Sequence, residues 1–162
     1  MIIGLTLGQF TALHVAISLV AIASGIVVMA AFAAGHRRIA ALSGLFLLTT
    51  AATTITGFMF PFNGPTPAFL TGVVSVPMLA LAFAAYFGLK LRGRAAAVYA
   101  VSASIALYLN LLAFVTQAFL KIPPLHALAP SGTEPPFLVA QMVMLVAMIG
   151  VGALSFRAAR RV

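Results

Sequence analysis

Side chains able to hold a proton, a metal or a ligand are few in this chain and unevenly placed. Histidine occurs at His14, His36 and His126, the acidic side chains amount to Glu134 alone, and cysteine is absent. Paired-carboxylate catalysis and carboxylate cages for Ca²⁺ or Mg²⁺ are therefore excluded within one chain. The missing cysteines remove disulfides, thiol chemistry and thiolate metal sites. No nucleophile, base and acid fall into a catalytic set, so an enzyme is not expected. His14 is the one ionisable group well inside an apolar stretch. An imidazole there either donates to a neighbouring carbonyl or serves as a proton-linked or ligand-binding group. A third role is ligation of haem or copper. A bis-imidazole haem needs a second histidine at matching depth. His36 follows the first apolar run, and His126 reaches His14 only if its Pro-rich loop folds inward. Met59 or Met142 would complete a soft copper site. No metal or cofactor is assigned from the spacing.

The elements that position these groups follow from composition. Of 162 residues, 64% are hydrophobic and 6% charged, whereas a soluble domain carries about a quarter charged residues. So few charges cannot cover a water-facing surface, and a disordered chain needs low hydrophobicity. Five stretches are long enough to span a bilayer, at about 7–34, 39–58, 67–89, 95–120 and 136–156. A spanning helix takes about 20 apolar residues. None alternates as a barrel strand does. The expectation is an all-α integral membrane bundle of five transmembrane helices in a single domain.

Charge sets the expected orientation. Arg37 and Arg38 follow the first span, Lys90, Arg92 and Arg94 the third, and Arg157, Arg160 and Arg161 the fifth. With five crossings these clusters share one side, and Lys121 alone lies opposite. The positive-inside rule makes that side cytoplasmic, with the N-terminus outside and the C-terminus inside. A formal charge of +8 is thus explained by a bacterial inner membrane and its anionic headgroups, and nucleic acid is not an expected partner. No charged segment or small-residue cleavage site precedes the first span, so a removable signal peptide is not expected.

Polar groups inside apolar spans are costly and therefore informative. The fourth span carries Tyr99, Ala103, Ala106, Asn110, Ala113 and Gln117 at helical spacing, a small and polar face, with Leu107, Leu111, Leu112 and Phe114 elsewhere. The first span has a similar seam of His14, Ser18, Ala21 and Gly25. The second holds Thr49, Thr50, Thr53, Thr54 and Thr56, and the fifth Gln141 near its outer end. At 1.5 Å per residue His14 lies roughly 10 Å below the outer end. The candidate ligand-binding set is His14, Ser18, Thr53, Asn110, Gln117 and Gln141, converging in the outer half. Small-residue packing and inter-helix hydrogen bonding are the competing account.

Three further features are expected to matter. Pro77 lies mid-span and is expected to kink its helix. The apolar, proline-broken loop from Ile122 to Pro130 is too short to span and is expected on the membrane surface or over the bundle. Lys121 and Glu134 bracket that loop as a candidate ion pair.

The stretches Ile105-Ala106-Leu107-Tyr108-Leu109-Asn110, Ala118-Phe119-Leu120-Lys121-Ile122-Pro123 and Glu134-Pro135-Pro136-Phe137 resemble those of a family of small multi-pass bacterial inner-membrane proteins, over most of the chain. The resemblance implies no activity. The chain departs from vitamin K epoxide reductases, which need cysteine pairs, from b561-type cytochromes, which need several intramembrane histidines, and from small multidrug exporters, which carry an intramembrane acid.

Three functions are compatible with this sequence. The first is binding or passage of a small or lipid-like ligand in the outer-half pocket. The second is a non-catalytic accessory role in a homo-oligomer or a larger membrane complex. The third is a redox role centred on His14.

Overall fold

The structure, a computed structural model, describes residues 1–36, 40–62 and 64–161. Arg37 and Arg38, which carry part of the expected orientation, lie outside the described residues, as do Ile39 and Asn63. The helices are α1 (Leu7–Ala33), α2 (Ala40–Phe58), α3 (Pro67–Phe83), α4 (Ala95–Lys121), α5 (Pro123–Leu128) and α6 (Pro135–Arg160). Five of them, all but α5, are long and apolar enough to cross a membrane. Among the described residues there is no strand beyond an isolated bridge between Ile2 and Leu5. The third expected span is α3 followed by a π-helical turn over Ala84–Gly88, and α6 continues past Phe156 to Arg160. Pro77 sits inside α3, which continues through it as helix.

Local chemistry starts and stops these helices. Thr6 and Gln9 form a reciprocal capping box at the start of α1, satisfying two otherwise orphaned N–H groups. Thr66 caps α3 with Pro67 at its first position, where a missing N–H costs nothing. Within the spans, hydroxyls donate back to their own helix, as Ser18 does to His14 O at 2.7 Å and Ser104 to Ala100 O at 2.7 Å. Lipid offers no alternative partner.

The turn between α3 and α4 is tight and strained. Lys90 and Leu91 have φ of 51° and 57°, and Gly93 has 52°. Left-handed backbone at residues with a Cβ costs about 1–3 kcal/mol each. Packing imposes it here: the Leu91 side chain is 6% exposed. Its N–H donates to Ala85 O at 3.0 Å, while that of Leu89 donates to Ala84 O at 2.8 Å.

The spanning helices close a ring in the order α1, α2, α3, α4, α6, with α4 also touching α1 across the middle and α5 packed on α4. α4 is central: half of its most apolar window is buried, against 6% for α6. Leu107, off the small polar face, is itself 1% exposed, whereas Val98, Val101 and Phe114 of α4 are at least 40% exposed. The main apolar core gathers Met29, Phe32, Phe46, Leu47, Leu79, Tyr86, Tyr99 and Leu107. They belong to the C-terminal halves of α1 and α3, the π-helical turn after α3, and the N-terminal halves of α2 and α4. The core therefore occupies one half of the bundle, the end bearing Lys90, Arg92, Arg94 and the C-terminal arginines. Gly25 marks the tightest crossing there. A Cβ on it would stand 2.7 Å from Phe46 Cε2 and 2.8 Å from Leu107 Cδ1, so α1 meets α2 and α4 only because position 25 has no side chain.

Candidate functional site

The opposite half of the bundle holds the polar groups. His14 projects from the second turn of α1, and its Nδ1 lies 2.7 Å from Thr56 Oγ1 near the end of α2. Thr56 Oγ1 also lies 2.7 Å from Ala52 O. A hydroxyl has one proton: given to Ala52 O, it makes Thr56 the acceptor of a His14 Nδ1–H and leaves the lone pair of the neutral ring on Nε2; given to Nδ1, it leaves the ring hydrogen on Nε2. Among the described residues no hydrogen bond engages Nε2. The ring is set by Phe60, edge-to-face at 5.2 Å and 87°, and Phe60 in turn packs on Phe10 at 5.0 Å. Gly57 leaves room beside it: a Cβ there would lie 3.7 Å from His14 Cε1.

Two other pairs tie α4 to its neighbours. Asn110 Nδ2 donates to Thr50 Oγ1 at 3.3 Å, joining α4 to α2. Gln141 Nε2 donates to Thr116 Oγ1 at 3.1 Å, joining α6 to α4. Thr116 spends its own proton on Leu112 O at 2.8 Å, so it is an acceptor. Ser18 is half-buried and bonds the carbonyl of His14 within α1. Gln117 is half-buried, and no hydrogen bond ties it to the other candidates among the described residues. Among the described residues no two members of the expected set bond each other: His14, Asn110 and Gln141 each bond a threonine outside it, across three different helix interfaces. His14 and Gln141 lie at similar depths, seven and six residues into their helices.

Two atoms of that set are buried without a partner, Thr53 Oγ1 and Gln141 Oε1. Thr53 is exceptional because Thr49, Thr54 and Thr56 on the same helix all bond back to their own turn. Buried orphan oxygens are rare and mark a place for a water or ligand.

No family model, curated protein or solved structure matches this chain. The site is read from its own geometry.

The remaining expectations are answered locally. His126 is exposed on α5, and no cluster of three His, Cys, Asp or Glu is present among the described residues. α5 forms the helical part of the Ile122–Pro130 loop and has no buried residue. Glu134 does not turn toward Lys121. Its carboxylate instead accepts from Ser131 N–H at 3.0 Å, Ser131 Oγ at 2.8 Å and Thr133 N–H at 3.0 Å. Those donors, the Ser131 backbone first, hold its pKa down at about 2. Loop N–H groups one and three residues away are at hand without any closure of the loop, and local bonds win.

Sequence reasoning missed two partners, Phe60 and Thr116. Phe60 lies four residues beyond Thr56 with Phe58 between them, and no sequence signal distinguishes the two rings. Thr116 adjoins Gln117 and carries no signal distinguishing it from its neighbour.

Proposed function

We propose that this is a multi-pass protein of a bacterial inner membrane that binds, or passes, a small or lipid-like ligand in the half of the bundle holding His14. The N-terminus is external and the C-terminus cytoplasmic. The observation that carries the reading is that the His14–Thr56 bond uses Nδ1 and leaves Nε2 without a hydrogen bond among the described residues. A ligand bearing an O–H or N–H donor matches that nitrogen when Thr56 gives its proton to Ala52 O, and an apolar body matches Phe10 and Phe60 beside it. The orphaned Thr53 Oγ1 and Gln141 Oε1 are further polar points for such a molecule. The main apolar core lies at the other end. Orientation rests on Lys90, Arg92, Arg94, Arg157, Arg160 and Arg161, which share one end of the bundle.

The test is direct extraction into mild detergent, followed by mass spectrometry of small molecules released on denaturation. The expected result is a species near one per chain in the wild type and in Leu111→Ala, lost in His14→Ala. No bound species, or one that survives His14→Ala, overturns the reading. Reporter fusions at the two ends must report opposite compartments.

A second reading, an accessory subunit, is favoured by α6. Val139, Val143, Val146 and Ile149 are each at least 60% exposed on it, a face as suited to a neighbouring subunit's helix as to lipid. Co-migration with a large complex on a native gel supports that reading, and migration alone removes it.

A further inference from the structure

We propose that the ligand of the His14 half is an acid on an apolar tail, its charged head held between His14, Gln117 and Lys121; this rests on the functional reading above. Helix register brings the three residues together. α1 and α4 run antiparallel and in step. Phe32 meets Tyr99 with ring centroids 5.4 Å apart. Seven residues nearer the start of α1, Gly25 meets Leu107, eight residues further along α4. Eleven more residues along each helix bring His14 level with Ala118. Gln117 therefore stands at the depth of His14, and Lys121 one turn beyond it, near the level of Phe10. At 3.6 residues per turn, Gln117 and Lys121 lie about two and three turns past Asn110, on the face that Asn110 turns to Thr50 of α2. Thr116 and Phe119 take the other face, against Gln141 and Phe137 of α6. Lys121 is thus on the α1–α2 side, and it stands within electrostatic reach of His14.

No acidic side chain answers that charge. Glu134 is the only one in the sequence, and both its carboxylate oxygens are taken by Ser131 and Thr133 of its own loop. The other titratable groups at this end, the N-terminal amine and His126, carry no negative charge. An acid from outside is the complement, and His14 suits it in either proton arrangement. With hydrogen on Nε2 the ring donates to the anion, and with hydrogen on Nδ1 it accepts the acid's own O–H. Lys121 supplies the full charge and the Gln117 amide a further N–H. The tail follows from depth. His14 lies two turns inside α1, where a bare anion gives up its water at high cost. Phe10 and Phe60, packed at 5.0 Å, offer apolar surface to a tail that offsets that cost.

The test is native mass spectrometry of the full chain in detergent, titrated separately with dodecanoate, dodecyl phosphate, dodecanol and acetate. The expected result is one dodecanoate or one dodecyl phosphate held, with dodecanol and acetate at least about tenfold weaker. Which of the two is held identifies the head as carboxylate or phosphate. Lys121→Gln, at an exposed helix end, should weaken binding about tenfold or more, as loss of a charge-assisted bond implies. Lys121→Arg should retain it, and Arg157→Gln, at the opposite end of the bundle, should leave it unchanged. Binding of neither acid, dodecanol held as tightly as either, or equal loss in Arg157→Gln overturns the proposal. A co-purified species lost in His14→Ala but kept in Lys121→Gln also overturns it and leaves the functional reading standing.

Discussion

His14 Nδ1 and Thr56 Oγ1 meet across the α1–α2 interface at 2.7 Å, and Thr56 Oγ1 is also 2.7 Å from Ala52 O on its own helix. If Thr56 gives its only proton to Ala52 O, that intrahelical bond sets the tautomer of a histidine on another helix. In isotopically labelled protein at pH 8, the ring nitrogens of His14 should report hydrogen on Nδ1. Thr56→Val removes the acceptor and should give a mixture of tautomers, with a stability loss of about 1 kcal/mol. Hydrogen on Nε2 in the wild type would contradict the assignment.

The Asn110–Thr50 bond makes a different kind of prediction. Asn110 is 8% exposed and Thr50 is fully buried, so each serves the other. Asn110→Ala and Thr50→Val should each cost about 0.5–2 kcal/mol. The double variant should cost little more than the worse single one, because the same bond is lost. Unfolding by SDS titration measures this, and simple additivity would show that the two do not interact.

Glycines at helix crossings should divide sharply. Gly25→Ala forces a methyl into Phe46 and Leu107, closer than 3 Å to both, and overpacking of this kind costs about 1–3 kcal/mol. Gly152→Ala would meet Ser104 at 3.5 Å, an ordinary contact, and should be close to neutral. Comparable thermal stability of the two variants would refute the close α1–α2–α4 approach.

Acid should loosen the loop before α6. The Glu134 pKa is depressed to about 2 from its usual 4.5, so its contribution is present above 4.5 and is lost as the pH falls toward 2. Amide exchange at Ser131 and Thr133 should accelerate across that window. Glu134→Gln should exchange faster throughout and show no such step. The carboxylate is exposed, so the effect is local.

Much of the fold was legible in the chain itself, for a physical reason. Apolar runs of bilayer length have few alternatives, and Leu7–Ala33 and Ala95–Lys121 match their expected spans to within a residue at either end. The seam of Ala21 and Gly25 was legible because close approach needs small side chains at helical spacing. Side-chain partners were less so. Gln141 meets Thr116 rather than a residue of α1 because the ring order seats α6 against α4, and periodicity within one helix carries no record of its neighbours. Glu134 was paired in expectation with the nearest cation by charge, whereas its own loop supplied closer donors.

The concentration of apolar packing at one end has a mechanical consequence. Helices clamped at and below Gly25 by Phe32, Phe46, Tyr99 and Leu107, and joined above it by polar pairs and ring contacts such as Phe10–Phe60, form a pair of tongs with the pivot at the glycine crossing. Amides at the clamped end should resist deuterium far longer than those around Thr53 and Thr116. Any molecule entering from the far side would part the arms without disturbing the grip.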